Sequence, residues 1–261
     1  MDRYARWNGL LEMLAAGGQL TVTDAAARLG VSTATIRRDL DELARQQMLT
    51  RTRGGAVANG TSYDLPLRYK TARHASEKQR IAAAAANLVA PGAVVGLNGG
   101  TTTTEVARAL ATRADLHADG PGPALTVVTN ALNIANELTV RPHVKIVVTG
   151  GVARPQSYEL IGPMATGILQ QLALDVAFLG VDALDARLGA SAHHEGEADI
   201  NRLMASRAQK LIIVADSSKL GARAFARICG LEDIDAVITD TGASAEAVAA
   251  LEEAGVEVTR V

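Results

Sequence analysis

Seven short runs of Val, Ile, Leu and Ala alternate with helical segments from Ala75 onward, and this alternation constrains the fold more than any other feature. The runs are Ala93–Leu97, Leu125–Thr129, Val144–Thr149, Val176–Val181, Leu211–Ala215, Ala236–Thr239 and Val256–Val258. Nearly continuous apolar runs of this length are typical of parallel strands buried on both faces. The first helix of this region is predicted over Glu77–Val89. The pattern predicts an α/β fold, with an open, mostly parallel sheet and helices on both faces.

The N-terminal residues show a different periodicity, that of three short helices. The first spans residues 3–16 and places five apolar side chains on one face: Tyr4, Trp7, Leu10, Leu11 and Leu14. Thr23 or Asp24 can cap a second helix that ends at Gly30. Ser32 can cap a third, running from Thr33 to about Gln46. Two helices joined by so tight a turn are typical of a helix-turn-helix.

A small β-hairpin is predicted after the third helix. Residues 48–53 are extended, Gly54-Gly55 forces a turn, and Ala56-Val57 can start a return strand. Residues 58–74 lose periodicity and are rich in Gly, Ser, Asn and Pro, which is typical of a linker. We therefore expect a small winged helix-turn-helix in 1–57, a linker in 58–74 and the α/β domain in 75–261.

Charge is distributed unevenly along the chain, although its net value is only −2. Residues 1–80 carry 13 Lys and Arg against 8 Asp and Glu, whereas residues 81–261 carry 13 against 20. Only the N-terminal part is therefore a plausible partner for a polyanion such as DNA. The chain contains no run of 18 apolar residues and no signal-peptide pattern, so we expect a cytoplasmic protein without a membrane span.

The third helix carries the residues expected to contact DNA. The second helix of a helix-turn-helix lies in the major groove, where its first turns face base edges and phosphates. Arginine can bond guanine with two hydrogen bonds, and Ser and Thr can bond bases or phosphates. The candidate DNA-binding residues in the helix and the wing are Ser32, Thr33, Thr35, Arg37, Arg38, Arg51 and Arg53.

The residue order in this segment resembles a known family. Val31 to Leu40 reads VSTATIRRDL and is followed by Gly54-Gly55-Ala56, a combination similar to the DNA-binding segment of the DeoR family of bacterial repressors. The resemblance implies that Ser32, Thr35, Arg37 and Arg38 face DNA. The family often has His before the wing glycines, where this chain has Arg53, so a base-specific contact from the wing is in doubt.

A loop of small and hydroxylated residues follows the first predicted strand of the larger domain. Asn98, Gly99 and Gly100 precede four threonines, Thr101–Thr104, which open a helix. Helix N-termini present free N–H groups to anions, and ligands of open α/β sheets bind at the carboxyl ends of strands. The loop matches neither G-x-G-x-x-G nor G-x-x-x-x-G-K-[ST], so we expect a phosphate monoester and no nucleotide cofactor.

Other strand ends also carry small or polar residues. They are Asn130, Gly150-Gly151, Asp182 with Asp185, and Asp216–Lys219. Because the carboxyl ends of parallel strands meet at one edge of a sheet, we expect these groups to converge.

The larger region, roughly 75–235, resembles the sugar-phosphate-sensing domain of the same family. The matching segments are GGTTTTEVARAL, LTVVTNALNIANEL, VTGGVARPQSYELIGPMA, DVAFLGVDALD, EGEA and VADSSKLG. That domain is similar in fold to ribose-5-phosphate isomerase. The resemblance implies a phosphate cradle at Gly99–Thr103 and sugar contacts at Asn130, Asp182 and Lys219. The effector residues predicted in this way are Asn98, Gly99, Gly100, Thr101, Thr102, Thr103, Asn130, Asp182, Glu197 and Lys219.

Two positions depart from the residues that the family usually has, and both bear on the identity of the ligand. Asn98-Gly99 stands where the family usually has Asp-Ser, and Ala183 stands where it usually has Gly. His193 and His194 lie where the family often has polar residues. A metal site would need a third ligand, such as Glu195 or Glu197, and adjacent histidines on an extended loop point apart, so we expect no metal.

A sugar-phosphate isomerase is the alternative function. Asp182, Asp185, Glu197 and Lys219 supply some parts of a proton-transfer site. The isomerases carry a Lys-Gly-rich turn after the paired aspartates, however, and residues 188–192 here contain no lysine. Cys229, the only cysteine, is expected to be a small buried residue and not a nucleophile. The sequence therefore predicts a non-enzymatic repressor of a carbohydrate operon that binds double-stranded operator DNA as a dimer or tetramer and responds to a phosphorylated sugar.

Overall fold

The computed structural model of the protein describes residues 2–46, 48–57, 67, 74–117 and 123–261, with the side chains of residues 4, 12, 15 and 16 excepted. The chain divides into two compact units, Met1–Ala72 and Arg73–Val261. Most of the predicted linker 58–74 lies outside the described residues.

The described part of the N-terminal unit contains three helices and a three-stranded antiparallel sheet. The elements are α1 (Arg3–Gly17), β1 (Gln19–Thr21), α2 (Val22–Leu29), α3 (Thr33–Arg45), β2 (Thr50–Arg51) and β3 (Gly55–Val57). The sheet order is β1-β3-β2. The helices and the hairpin were predicted, whereas β1 was not, because three residues are too few to show a period. The apolar faces meet in one core that includes Trp7, Leu10, Leu11, Leu14, Ile36, Leu40 and Leu43.

Two of the three predicted helix signals are confirmed and one is wrong. Ser32 caps α3, since its Oγ accepts a hydrogen bond from the Thr35 N–H at 3.1 Å. Gly30 ends α2 in the left-handed conformation, with φ of 65°. The cap of α2 is Thr21, not Thr23 or Asp24, because the chain passes directly from β1 into the helix and the Thr21 Oγ1 accepts from the Asp24 N–H at 3.1 Å.

The larger unit is built on a seven-stranded parallel sheet. All seven predicted runs are strands of this sheet, with ends displaced by a few residues. They are β4 (Val94–Leu97), β5 (Leu125–Thr129), β6 (Val144–Val148), β9 (Leu174–Leu179), β12 (Ala208–Val214), β14 (Ala236–Thr239) and β15 (Glu257–Arg260). The order across the sheet is β15-β14-β12-β9-β4-β5-β6.

Helices cover both faces of this sheet, as predicted. They are α4 (Ala75–Asn87), α5 (Thr101–Thr112), α6 (Leu132–Leu138), α7 (Pro163–Leu169), α8 (Glu195–Ser206) and α9 (Ala245–Glu253). Alternate residues of each central strand enter two separate cores: Val176 and Phe178 lie in one, and Ala177 and Leu179 lie in the other. Burial on both faces explains why the strands read as continuous apolar runs.

Two small antiparallel sheets were not predicted. One has the order β10-β11-β13, formed by Ala183–Asp185, Gly189–Ala192 and Ala226–Cys229. The other pairs β7 (Val152–Ala153) with β8 (Leu160–Ile161). Their strands are two to four residues long, so no apolar period identifies them. None of the helices in the described residues has the length and apolar character needed to span a membrane.

Candidate functional site

The first turns of α3 present a polar, basic surface. Ser32, Thr33, Arg37 and Arg38 are exposed, while Thr35 is half-buried. Because Ile36 and Leu40 on the other face of the helix are fully buried, these side chains face away from the core. The structure therefore places the five residues predicted on the recognition helix on one accessible surface.

The arginines on this surface differ in their partners. The guanidinium groups of Arg37, Arg38 and Arg53 form no ion pair or hydrogen bond with any other described residue. Arg51 is held within the unit, because its Nε lies 2.7 Å from Asp41 Oδ1 and its Nη1 donates to the Gly55 carbonyl. Arg51 therefore fixes the wing against α3, whereas the other three are available to phosphates and bases.

The wing depends on a close approach that only glycine permits. A Cβ atom on Gly55 would lie 1.9 Å from the carbonyl oxygen of Leu20 in β1. Gly55 pairs with Thr21 in the antiparallel register of β1 and β3. The unpredicted strand β1 is thus the reason that the wing needs a glycine at this position.

Asp39 is a functional residue that the sequence reasoning passed over. Although it lies within the recognition helix, its carboxylate faces inward and is 5% exposed. It accepts hydrogen bonds from Arg6 Nε at 2.6 Å and from the Trp7 indole Nε1 at 2.9 Å. Asp39 also raises the pKa of Arg6. This pairing fixes α3 to α1 and so positions the residues that are predicted to contact DNA.

The predicted cradle lies at the point where the strand order of the sheet reverses. From β4 the chain continues to β5 and β6 on one side, while β9 and β12 lie on the other. Ligands of open α/β sheets bind outside the carboxyl ends of strands at such a switch point. The N-terminus of α5, with Gly100 as its cap, follows β4 there. Its free N–H groups can bind an anion.

The threonines of this helix have unequal roles. The Oγ1 atoms of Thr103 and Thr104 donate to the Gly100 carbonyl at 3.2 and 2.6 Å. Thr104 Oγ1 also accepts from Asn133 Nδ2 at 2.9 Å. Thr101 is half-buried and Thr102 is 6% exposed, and neither hydroxyl bonds another described residue. The hydroxyls of Thr101 and Thr102 are therefore the ones available to a ligand.

The side chain of Asn98 links the end of β4 to the end of β9 through two hydrogen bonds with Gly180. Its Nδ2 donates to the Gly180 carbonyl at 2.9 Å, and its Oδ1 accepts from the Gly180 N–H at 2.9 Å. The side chain is 1% exposed. An aspartate could not make the first of these bonds, because an ionised carboxylate has no donor. The bond to the Gly180 carbonyl therefore explains why position 98 is Asn here and not Asp. Through both bonds Asn98 positions the start of the predicted cradle.

Glu159 is the second residue that the sequence reasoning missed. It is 2% exposed and lies against Gly99, where an added Cβ would be 2.3 Å from Glu159 Cγ and 2.6 Å from Oε1. Asn130 Nδ2 donates to Glu159 Oε2 at 3.2 Å. Burial, reinforced by the nearby charges of Glu197 and Asp182, raises the pKa of Glu159 well above its usual value. A buried carboxyl group with a raised pKa thus lies beside the predicted cradle.

Three further predicted residues carry charges at this edge of the sheet. Glu197, in the first turn of α8, accepts from Arg154 Nη1 at 3.0 Å. Asp182 Oδ2 accepts from the His193 N–H at 2.9 Å. The Lys219 ammonium, on the turn after β12, forms no ion pair with any described residue. Because β12, β9, β4 and β5 are neighbours, the structure brings together the strand ends that carry the predicted effector residues.

Several residues that could have belonged to an isomerase site, a metal site or a nucleophile have structural roles instead. Asp185 accepts from the backbone N–H groups of Arg187 and Leu188 and pairs with Arg223, which lowers its pKa. His194 caps α8 through its Nδ1. No group of three or more His, Cys, Asp or Glu residues within the described ranges could hold a metal ion. Cys229 is buried, and burial raises its pKa to about 11, so it is a neutral thiol at physiological pH.

A winged helix-turn-helix with an exposed basic third helix, followed by a larger α/β domain, is typical of DNA-binding transcriptional regulators. Comparison with known families agrees with this class. A DeoR-like helix-turn-helix domain matches residues 6–62, and a DeoR C-terminal sensor domain matches residues 73–241. The chain belongs to the DeoR family of transcriptional regulators.

Individual relatives span nearly the whole chain. A protein of Escherichia coli O157:H7 named for transcriptional repression of the aga operon is 38% identical over 252 residues, covering 95% of this chain and 90% of the relative. The glycerol-3-phosphate regulon repressor of Escherichia coli K12 is 31% identical over 240 residues, covering 92% of each chain. Among solved structures, ribose-5-phosphate isomerase A from Methanocaldococcus jannaschii overlaps 56% of this chain and 54% of that one, with 18% identity and a TM-score of 0.42.

Proposed function

We propose that the protein represses a carbohydrate-metabolism operon and that a phosphorylated sugar controls it. The observation that carries this proposal is the pairing of two sites in one chain: an exposed basic recognition helix, and an anion cradle at the switch point of the sheet. Two relatives are named as repressors, one for the aga operon and one for a glycerol-3-phosphate regulon. We also propose that the chain acts in the cytoplasm, where its operator DNA lies.

The residues proposed for each contact follow from their exposure and partners. Arg37 and Arg38, which have no partner among the described residues, would bond bases or phosphates in the major groove. Arg53 would bond the backbone from the wing, together with Ser32, Thr33 and Thr35 from the helix. Arg51 would reach a phosphate only with the N–H groups that Asp41 and Gly55 leave available.

The effector would bind with its phosphate on the α5 N-terminus. The N–H groups after Gly99 and Gly100, with the Thr101 and Thr102 hydroxyls, would contact the phosphate, and Lys219 would supply a positive charge. Thr103 and Asn98 would shape the cradle through their bonds to Gly100 and Gly180. Asn130, Asp182 and Glu197 would contact the sugar.

We propose binding without turnover. Asp185, which an isomerase site would need, is committed to Arg223 and to two backbone N–H groups. The loop over residues 188–192 supplies no lysine. Both named relatives are regulators. Effector binding would instead shift the population between two arrangements that differ in DNA affinity, in a dimer or tetramer. We propose that the chain is divided into a DNA-binding domain (1–57), a linker (58–74) and an effector domain (75–261). The linker and α4 would transmit the shift between the two domains.

The test combines DNA binding with ligand binding on the full chain. Mobility shifts with DNA fragments flanking the protein's own gene identify an operator. The melting temperature is then measured with phosphorylated sugars and with the matching free sugars, since a ligand that binds the native state raises it by mass action. We expect one phosphorylated sugar to raise the melting temperature and to change operator affinity, while its free sugar does neither. If no phosphorylated sugar binds, the effector half of the proposal is wrong.

A further inference from the structure

The strand at one end of the parallel sheet, β6, has a free edge. The sheet order stops at β6, and β5 is its only partner strand among the described residues. The Thr149 N–H donates to the Thr129 carbonyl at 3.1 Å, so the odd-numbered residues of this stretch direct their backbone groups toward β5. Because the backbone groups of successive strand residues point to opposite sides, the N–H and C=O groups of Ile146 and Val148 point away from the sheet. They form no hydrogen bond with another described residue.

The surface around this edge is apolar. Nine large apolar side chains are exposed in the described part of the chain, and six of them lie between residues 132 and 168, on the elements that flank β6. The six are Leu132, Val140, Val148, Val152, Met164 and Ile168. The helix α7, which carries Met164 and Ile168, packs through Ala165 and Leu169 into the core that Val147 of β6 also contacts. Such a concentration of exposed apolar groups marks an interaction surface.

The opposite edge of the same sheet is built differently. The edge strand there is β15, and its exposed side chains, Glu257, Thr259 and Arg260, are polar or charged. Charged side chains on an edge strand discourage pairing with another strand. β6 carries a single charged residue, Lys145. Of the two ends of the sheet, only the β6 end therefore combines free backbone groups with an apolar surface.

A second copy of this chain is complementary to the edge of β6. If a two-fold axis passes beside Val147, the two β6 strands run antiparallel, and Ile146 of each copy exchanges both backbone hydrogen bonds with Val148 of the other. Val147 then faces its own copy on the side of the sheet that α7 covers. Lys145 faces Thr149 of the second copy, so no like charges lie directly opposite each other.

We propose that β6 is the interface between two copies of this chain, in which the edge strands pair antiparallel and join the two parallel sheets into one. This inference rests on the proposed function in one respect, because a repressor that reads a repeated operator holds two recognition helices together. It adds the surface and the register by which the copies are held.

A cysteine on the axis tests the pairing directly. Val147 would form a non-hydrogen-bonded pair with its copy, with Cα atoms about 4.5 Å apart, a separation that a disulfide can span. The full chain carrying Val147→Cys is oxidised with copper phenanthroline without DNA, and we expect a covalent dimer on a non-reducing gel. Val140→Cys is the matched control, because Val140 is 75% exposed but precedes the strand and would lie far from its copy. The wild-type chain, which keeps the buried Cys229, gives the background.

A proline at the free edge measures what the pairing contributes. Val148→Pro removes an outward N–H and leaves the bonds between β5 and β6 in place. Arg260→Pro makes the same change at the other edge, where the Val261 N–H bonds the Thr239 carbonyl and the Arg260 N–H therefore points outward. By sedimentation equilibrium we expect Val148→Pro to raise the Kd of the dimer at least about tenfold, since each copy loses a hydrogen bond, and Arg260→Pro to leave it unchanged.

The outcomes separate this inference from the proposed function. A wild-type chain that stays monomeric, as it would if another protein or another segment of this chain covered β6, overturns the inference. A dimer that neither cross-links through Val147→Cys nor weakens in Val148→Pro also overturns it, while a repressor that dimerises elsewhere still stands. Circular dichroism shows whether each variant is folded, and if Val148→Pro is not, the cross-link decides. Loss of operator binding in mobility shifts would count against the proposed function and not against the pairing.

Discussion

Arg6 and Asp39 join the first helix to the recognition helix through two hydrogen bonds, from Nε at 2.6 Å and from Nη2 at 3.1 Å. Both side chains are largely removed from solvent, with 14% and 7% of their surface exposed. The Trp7 indole bonds the same carboxylate. Asp39, which follows the two exposed arginines predicted to contact DNA, therefore fixes the recognition helix to the rest of the unit.

Removing this carboxylate is expected to destabilise the N-terminal unit strongly. Asp39→Ala removes the buried carboxylate that accepts hydrogen bonds from both Arg6 and Trp7, and we expect the free energy of unfolding to fall by about 3–5 kcal/mol. Asp41→Ala, which removes an exposed partner of Arg51 from the same helix, should cost only about 0–1 kcal/mol. Denaturant unfolding followed by fluorescence reports on this unit, since Trp7 is the only tryptophan. Equal losses in the two variants would contradict the assigned anchor.

Arg38 is expected to contribute directly to operator binding. Its guanidinium is exposed and has no partner among the described residues, so Arg38→Ala should weaken binding by roughly 1–3 kcal/mol if it reads a base. Arg45→Ala is the matched control, because Arg45 lies at the other end of α3 and pairs with Glu42. Mobility shifts at two salt concentrations compare the variants. A wild-type affinity in Arg38→Ala would show that α3 is not the recognition helix.

The parallel sheet and the helices could be predicted from the sequence, whereas most of the strands of two or three residues could not. The seven strands of the parallel sheet are buried on both faces, so each left a continuous apolar run that could be read directly. The strands β1, β7 and β8 have only two or three residues and leave no period. The cap at Thr21 was missed for the same reason, since it depends on the unpredicted strand β1.

Position 99 is expected to tolerate only glycine while Glu159 is present. In Gly99→Ser, the residue that the family usually has, the new Cβ would lie 2.3 Å from Glu159 Cγ. We expect the free energy of unfolding of the larger unit to fall by about 1–3 kcal/mol, as for other overpacked sites. Circular dichroism during denaturant unfolding measures it.

A double-mutant cycle separates this clash from other effects of the serine. Adding Glu159→Ala removes the atoms that the serine meets, so the two substitutions should be coupled, with a favourable interaction of about 0.5–3 kcal/mol. Additive losses would show that the side chain of Glu159 does not account for the glycine.

The candidate site shows the same limit of sequence reasoning at the level of single residues. Asn130 and Asp182 were predicted because each follows a strand, and Glu197 because it lies in the segment EGEA, which resembles the family. Glu159 was not predicted, since it lies just before the two-residue strand β8 and is brought to the site by pairing with the chain after β5, through Ala131 and through the bond from the Leu160 N–H to the Asn130 carbonyl. The one feature of the sequence that points to Glu159 is the glycine at position 99. That glycine can be interpreted only when its contact with Glu159 is known.

The raised pKa of Glu159 predicts a stability difference that depends on pH. In the unfolded chain this carboxyl titrates near 4.5, whereas burial and the charges of Glu197 and Asp182 raise its pKa in the folded state, and the Asn130 amide and Gly99 N–H oppose that shift only in part. The folded state therefore binds more protons than the unfolded state as pH rises above 4.5, and stability is lost over that range. Glu159→Gln keeps the shape of the neutral carboxyl but cannot ionise, so it should escape this loss.

We therefore expect the melting temperature of Glu159→Gln, relative to wild type, to rise as pH increases from about 4.5 towards the raised pKa of the folded state. Thermal scans of the full chain by circular dichroism measure the difference, and the Trp7 fluorescence transition identifies the contribution of the N-terminal unit. In Glu195→Gln, where the glutamate is exposed, the difference from wild type should stay nearly constant with pH. A difference for Glu159→Gln that is flat or falls with pH would contradict the raised pKa of Glu159 in the folded state.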